Sequence, residues 1–168
     1  MLNTTTYFGT DGSLVISDPA DFDADAFATL LPVDGAVARV VNVTLAVLTD
    51  IVPFHEMGSR YPTELRAGNI TITGTVERAY INGALLRLML GQYAIEPESA
   101  GMPMPNFTMK LAVDNLVPAG EEGNSILTVF GVMFDSWQVS LPEDDFMLER
   151  LTFKARRIQI EDKEVPEA

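Results

Sequence analysis

The sequence predicts a mainly β protein, an antiparallel β-sandwich or barrel with one packed α-helix at about residues 82–91. Three observations carry that prediction. Apolar and polar residues alternate with a period of two in several separate stretches, and those stretches are rich in β-branched residues. A single Leu-rich segment interrupts the pattern, with an asparagine before it and a glycine after it. The 168 residues match one domain of roughly 100–200 residues, so 1–168 reads as a single unit. Hydrophobic residues make up 47% and charged residues 21%, the balance of a folded chain rather than a disordered one.

Taken in order, Asp21 to Leu31 combines early acidic residues with Phe22, Ala26, Phe27, Leu30 and Leu31 at helical spacing, which predicts a short helix. From Ala38 to Leu48, Val41, Val43, Leu45 and Val47 alternate with Asn42 and Thr44, as in a half-buried strand. Residues 53–68 hold His55, Gly58, Pro62 and Gly68 without sustained periodicity and read as a long loop. Asn69 to Glu77 is the clearest strand, with Ile70, Ile72 and Val76 on one face and Thr71, Thr73 and Thr75 on the other. In the helical segment Leu85, Leu86, Leu88, Met89 and Leu90 follow Asn82, a candidate N-cap, and precede Gly91, a candidate stop.

A second long loop is expected over 96–106, where Pro97, Gly101, Pro103 and Pro105 fall close together. Phe107, Met109, Leu111 and Val113 define another strand, and Ser125 to Leu141 a longer one. In the latter the apolar parity moves from Ile126, Phe130, Val132 and Phe134 to Trp137, Val139 and Leu141, which predicts a bulge near Asp135-Ser136. The last strand changes parity in the same way, from Leu151, Phe153 and Ala155 to Ile158 and Ile160 across Arg156-Arg157. Long bent strands suit a barrel or a strongly curved sheet. The charged tail 161–168 is expected to fray.

Composition excludes several chemistries. Acids outnumber bases 24 to 11, for a formal charge of −13, the opposite of what gripping a phosphate backbone requires. With no cysteine and one histidine, His55, there is no thiol nucleophile, no Cys-His pair and no multi-histidine metal site. No serine lies in G-x-S-x-G, and neither phosphate-binding glycine motif occurs. Asp21-x-Asp23-x-Asp25 imitates the start of a calcium loop, but Ala26 stands where the turn needs glycine and Pro32 where a bidentate glutamate is needed. The expectation is therefore no enzyme, no metal and no cofactor. The start of the chain lacks a basic-then-apolar leader pattern, and the longest apolar region, 79–94, falls short of the roughly 20 residues that cross a bilayer, so a soluble subunit without membrane insertion is expected.

Residues 64–91 carry a resemblance. A loop feeds a strand of pattern G-x-x-x-x-x-G-x-x-x-R, here Gly68, Gly74 and Arg78, and a Leu-rich helix follows at once. This resembles the tail tube proteins of tailed bacteriophages, contractile or long-tailed. Elsewhere the likeness extends to the order and type of elements. The resemblance implies a structural virion protein that polymerises as stacked hexameric rings into a hollow tail tube, through which phage DNA passes without specific binding. It also implies sheath, baseplate and tail-terminator proteins as partners, a place in the virion tail and assembly in the cytoplasm of the bacterial host.

Given that reading, the length of the first loop and its charged and aromatic content point to His55, Met57, Arg60, Tyr61, Glu64 and Arg66 as inter-subunit contacts. Thr71, Thr73 and Thr75, or the carboxylates Asp114, Glu143, Asp144 and Asp145, are the candidates for lining the bore. The excess acid serves either to repel DNA phosphates in the bore or to keep the subunit soluble before assembly. Two alternatives compete: a tube-like subunit at the baseplate or tail end, and a monomeric β-barrel whose methionines and phenylalanines line a cavity for a small apolar ligand.

Overall fold

The computed structural model describes residues 12–17, 39–80, 83–90, 106–114 and 124–162. Its elements are β1 (Gly12–Ser17), β2 (Val40–Phe54), β3 (Glu64–Ala79), α1 (Ala84–Leu90), β4 (Phe107–Asp114), β5 (Asn124–Ser140), β6 (Leu148–Ala155) and β7 (Arg157–Asp162). All strand pairs are antiparallel, in the order β1-β4-β5-β6-β3-β2 with β7 also on β5.

The long strand β5 divides this sheet in two. Its first half, Ser125 to Phe130, runs between β4 and β7, whereas its second half, Met133 to Ser140, pairs with β6. The change falls at Gly131, whose φ of 64° is a left-handed conformation that L side chains rarely adopt. Arg156, between β6 and β7, lies opposite, and its backbone N–H donates to the Phe130 carbonyl at 3.0 Å. So β5 and β6–β7 form one long hairpin creased across its middle. The crease separates a first layer, β1-β4-β5-β7, from a second, β5-β6-β3-β2.

The two layers and α1 enclose one core. Leu14, Ile16, Phe107, Met109 and Val129 come from the first layer, Ile72, Val76, Leu151 and Phe153 from the second, and Leu85 and Leu88 from the helix. Phe134 joins the layers, its ring 5.8 Å from that of Phe107 and edge-on to Phe153 at 6.4 Å. Gly74 makes room for this packing, because a Cβ there would sit 2.4 Å from the Phe153 ring and 2.4 Å from the Thr44 carbonyl. One charged pair is also buried: the Arg78 guanidinium donates to Glu149 across β3 and β6, and the Trp137 indole N–H donates to the other Glu149 oxygen at 2.9 Å.

The expected β architecture and its helix are present, with differences of detail. Among the described residues the sheet is open and does not close into a barrel. The loop expected over 53–68 narrows to 55–63, because β2 extends to Phe54 and β3 starts at Glu64 in paired register. Strand β1, a short Leu14-Val15-Ile16 run between serines, was not anticipated. The bulge expected near Asp135-Ser136 occurs, as a register shift between Phe134 and Ser136. An earlier parity change at Gly131 also occurs, so Ile126 and Phe130 face opposite to Val132 and Phe134. Glu161 and Asp162, assigned to a fraying tail, pair in β7 with Ile126 and Ser125. The helix begins at Ala84. Asn82, Gly91, the helix expected over 21–31, the loop over 96–105 and the tail from 163 lie outside the described residues.

Two substitutions test this packing. Gly74→Val drives a branched side chain into Phe153 and the β2 backbone, and is expected to cost about 1–3 kcal/mol, read as a lowered urea midpoint with unchanged slope. Glu149→Ala leaves the buried Arg78 charge without its carboxylate and removes the acceptor of the Trp137 N–H, an expected loss of about 3–5 kcal/mol by the same measurement.

Candidate assembly surface

Beyond the pair Ile72–Ala155, β6 turns away at the Arg156 crease while β2 and β3 run straight on. The second layer therefore narrows from four strands to two. Pairs from Leu48–Thr71 to Phe54–Glu64 continue as a free hairpin arm, about 23 Å of strand at roughly 3.3 Å per residue. Every residue from Ala46 to Thr71 is exposed. A two-stranded hairpin alone in water is marginal.

The register assigns the arm two unlike faces. Asp50 stands opposite both Gly68 and Asn69, a bulge that keeps the alternation in step on either side. Val47, Ile51 and Pro53 of β2 share one face with Ile70, Ala67 and Leu65 of β3. This is the same face that carries Val43, Leu45, Ile72 and Val76 over the core. The core-facing apolar stripe thus continues past the end of the core, and Ile51, Leu65 and Ile70 on it are 61%, 63% and 66% exposed. The opposite face holds Asp50, Val52 and Phe54 beside Glu64 and Arg66, whose side chains form an exposed ion pair at 3.0 Å. At the tip, residues 55–63, Met57 and Tyr61 stand free in solvent. The turn is closed by the Ser59 N–H to the Glu56 carbonyl and the Thr63 N–H to the Phe54 carbonyl.

Below the arm, the outward face of the second layer is rich in hydroxyls. Thr44, Thr71, Thr73 and Thr75 lie beside Thr152 of β6 and Ser136 of β5, with a Thr44–Thr75 hydroxyl contact and Thr152 bonded to Ser136 and Asp135. The two ends of this layer, β2 on one side and the second half of β5 on the other, have no further strand partner among the described residues. Both carry register shifts, between Val40 and Asn42 and between Thr49 and Ile51 in β2 and between Phe134 and Ser136 in β5, and few charges. From Val40 to Val52, β2 has no lysine and no proline, and Met133 to Ser140 contains one charge, Asp135.

The structure places the candidate residues in three separate regions. His55, Met57, Arg60, Tyr61, Glu64 and Arg66 all lie on the arm or its tip. Thr71, Thr73 and Thr75 lie on the hydroxyl face. Glu143, Asp144 and Asp145 are exposed in the β5–β6 turn, at the other end of the second layer, where Asp145 accepts the Phe146 N–H at 2.7 Å. Asp114 ends β4 in the first layer. What sequence reasoning missed is the arm itself: Thr49, Ile51 and Val52 are β-branched and continue the alternation of β2, a signal masked by the glycines and prolines in and around the tip. Among the described residues no group of three His, Asp or Glu side chains could hold a metal ion, and no helix is long and apolar enough to cross a membrane.

Among the described residues the sheet is open and bears a hairpin whose apolar face is exposed. The fold is more specific: it matches that of tail tube proteins. No protein-family model and no curated protein matches the sequence. Among solved structures the chain is similar to a chain of an extracellular contractile injection system, the PVC sheath-tube complex in its extended state, at 9% identity and TM-score 0.63, covering 95% of this chain and 94% of that one. It is similar to a chain of the anti-feeding prophage baseplate, 6-fold symmetrised, at 12% identity and TM-score 0.63, over 94% and 97% of the two chains. It is also similar to the SPP1 tail tube, at 11% identity and TM-score 0.58, over 94% and 80%. At these identities the likeness is one of fold.

The isolated arm is expected to exchange its amide hydrogens early. In the unassembled subunit, amides of 48–54 and 64–70 should exchange at least about a hundredfold faster than those of 72–78, where β3 lies between two strands over the core; exchange resolved by mass spectrometry or NMR measures the ratio.

Proposed function

We propose that this chain is a structural virion protein that polymerises as stacked hexameric rings into the hollow tube of a phage-type tail, through which DNA is delivered. The observation that carries the reading is the second layer with its two edges free of a further strand partner among the described residues. Its strands alternate in direction across β5-β6-β3-β2, an even number, so the edge strands run opposite ways. A rotated copy can then set its β5 antiparallel to the β2 of its neighbour, and each further copy repeats the operation. Such a head-to-tail contact closes into a ring and leaves no edge of the second layer exposed. The 6-fold symmetry stated for the anti-feeding prophage baseplate, whose chain shares the fold, supports six copies per ring.

In a ring built this way the core-facing side of the second layer points outward to the first layer, and the hydroxyl face lines the bore. Its charges balance: Glu77 and Asp135 against Arg150 and Lys154, all on that face by register. A wall of threonine hydroxyls with no net charge has little grip on a phosphate backbone, whose binding depends on an excess of cations. The acids Glu143 to Asp145 fall at the rim. Sheath and baseplate proteins are the expected partners, the virion tail the expected place, and the host cytoplasm the site of assembly. A tube-like subunit at the baseplate or tail end shares the same surfaces, and copy number per particle separates the two. The ligand-binding barrel has less support, since an open sheet does not enclose the cavity that it needs.

Negative-stain electron microscopy and light scattering of the concentrated protein test the proposal. Hollow tubes or six-membered rings are expected, and deletion of 57–63 should abolish tubes while the circular dichroism of a folded β subunit persists. Tubes formed by the deletion variant would remove the arm from assembly; a wild-type protein that stays monomeric even when seeded with a baseplate would overturn the reading.

A further inference from the structure

The second layer is assembled from two hairpins. Residues 55–63 join β2 to β3 and residues 141–147 join β5 to β6, so each hairpin has its internal register set by its own turn. Among the described residues the only strand contact between the hairpins in this layer is β3 with β6, whose facing residues Arg78 and Glu149 lie 71 positions apart in the chain. No turn fixes that register. The alternation does not fix it either, because a slip of two residues keeps every side chain on its own face. On the outward face, Thr152 would stand opposite Thr73 or Glu77 instead of Thr75; on the core side, Phe153 would stand opposite Ile72 or Val76 instead of Gly74. Exchanges among apolar rows are changes that cores tolerate at modest cost.

The buried ion pair does not tolerate the slip. Arg78 and Glu149 are 2% and 0% exposed, they face each other in one row, and Glu149 also accepts the Trp137 indole N–H from β5 at 2.9 Å. Moved two residues in one direction, Glu149 would face Val76 and Arg78 would face Met147; moved in the other, Glu149 would face Tyr80 and Arg78 would face Leu151. Either slip parts the two charges by about 7 Å along the strands, at roughly 3.3 Å per residue. A buried charge without its partner is far costlier than an altered apolar row. We infer that the Arg78–Glu149–Trp137 network is a register key: it selects the one alignment of the two hairpins that the apolar–polar pattern leaves open, rather than adding net stability. The Phe153 ring seated on Gly74 favours the same alignment sterically. The alignment also sets how far the arm projects beyond the crease and at what height the β2 edge stands against the β5 edge. Under the tube reading a slipped subunit has mismatched edges and stays out of the ring, but the inference itself does not depend on that reading.

The chain contains no cysteine, so disulfide trapping can read the register. Thr152→Cys is combined in separate full-length proteins with Thr75→Cys, opposite it in the observed register, or with Thr73→Cys or Glu77→Cys, opposite it after a slip. Facing cysteines are within bonding reach, whereas diagonal ones, about 7–8 Å apart, lie outside the usual Cα range of a disulfide. With the native network only the 75–152 bond is expected on mild oxidation. In an Arg78→Met, Glu149→Leu background, the 73–152 or 77–152 bond should rise at least about tenfold over its level with the network present, while circular dichroism still shows a folded β subunit. Arg78→Gln with Glu149→Gln removes the charges and keeps side chains of similar length, and this second background should behave alike. A folded neutral variant that forms only the 75–152 bond would overturn the inference. So would two neutral backgrounds that both fail to fold, because the network would then be needed for stability and not for the choice of register. Slipped bonds that form as readily with the native network as without it would overturn it too.

Discussion

The crease at Gly131 and Arg156 is the constraint on which the other features depend. A left-handed glycine in mid-strand lets β5 change layers, and the Arg156 N–H bonded to the Phe130 carbonyl turns the partner strand with it. Two layers then face one another and can bury Phe107, Phe134 and Phe153 between them. The same turn removes β6 from the side of β3. Without the crease, β6–β7 would continue along β3 and the arm would be the middle of a flat sheet. The enclosed core and the unsupported arm are two results of one local backbone conformation.

The energetics of the arm follow from that division. Fully burying a Val, Leu or Ile side chain contributes about 1.5–3 kcal/mol, so Val47, Ile51, Leu65 and Ile70, 48–66% exposed, together hold roughly 4–7 kcal/mol of unrealised burial. Association costs about 4–15 kcal/mol in lost freedom. One arm contact alone is therefore near balance, and it becomes favourable when ring closure and edge pairing have already restricted the copies. In the proposed tube such a balance would keep single subunits apart and favour a growing array. The free edges of β2 and β5 would there be paired rather than exposed.

Much of the fold was legible in the sequence, for identifiable reasons. The Ile-Thr alternation of 69–77 marks a strand with one buried face, and Ile72 and Val76 are buried as the pattern requires. The shift of parity at Asp135-Ser136 is a real register shift. The arm was harder to read, because glycines and prolines at its tip imitate a loop, and because both of its faces are exposed in a single chain. Residues such as Ile51 and Leu65 look like core by composition, yet they are exposed beyond the end of the described core. Gly131 was legible in principle as an isolated glycine in a strand, a sign of a bulge or sharp bend, but Ile126 and Phe130 on the outer face preserved an apparent alternation across it. Arg157 lies over the Phe130 ring at 4.6 Å, which explains an aromatic residue on that side.

The distribution of charge reconciles solubility with assembly. A formal charge of −13 would oppose close packing of many copies if it were spread over the joining surfaces. It is not spread there. The hydroxyl face of the second layer balances two acids with two bases, and the β2 edge from Val40 to Val52 carries Asp50 alone. In the proposed ring, repulsion would act between subunits that approach in arbitrary orientations, and would be weakest along the hydroxyl face and the β2 edge. Self-repulsion of this kind suppresses wrong contacts without weakening right ones. In the proposed tube it would favour copies that meet edge to edge over copies that meet at random.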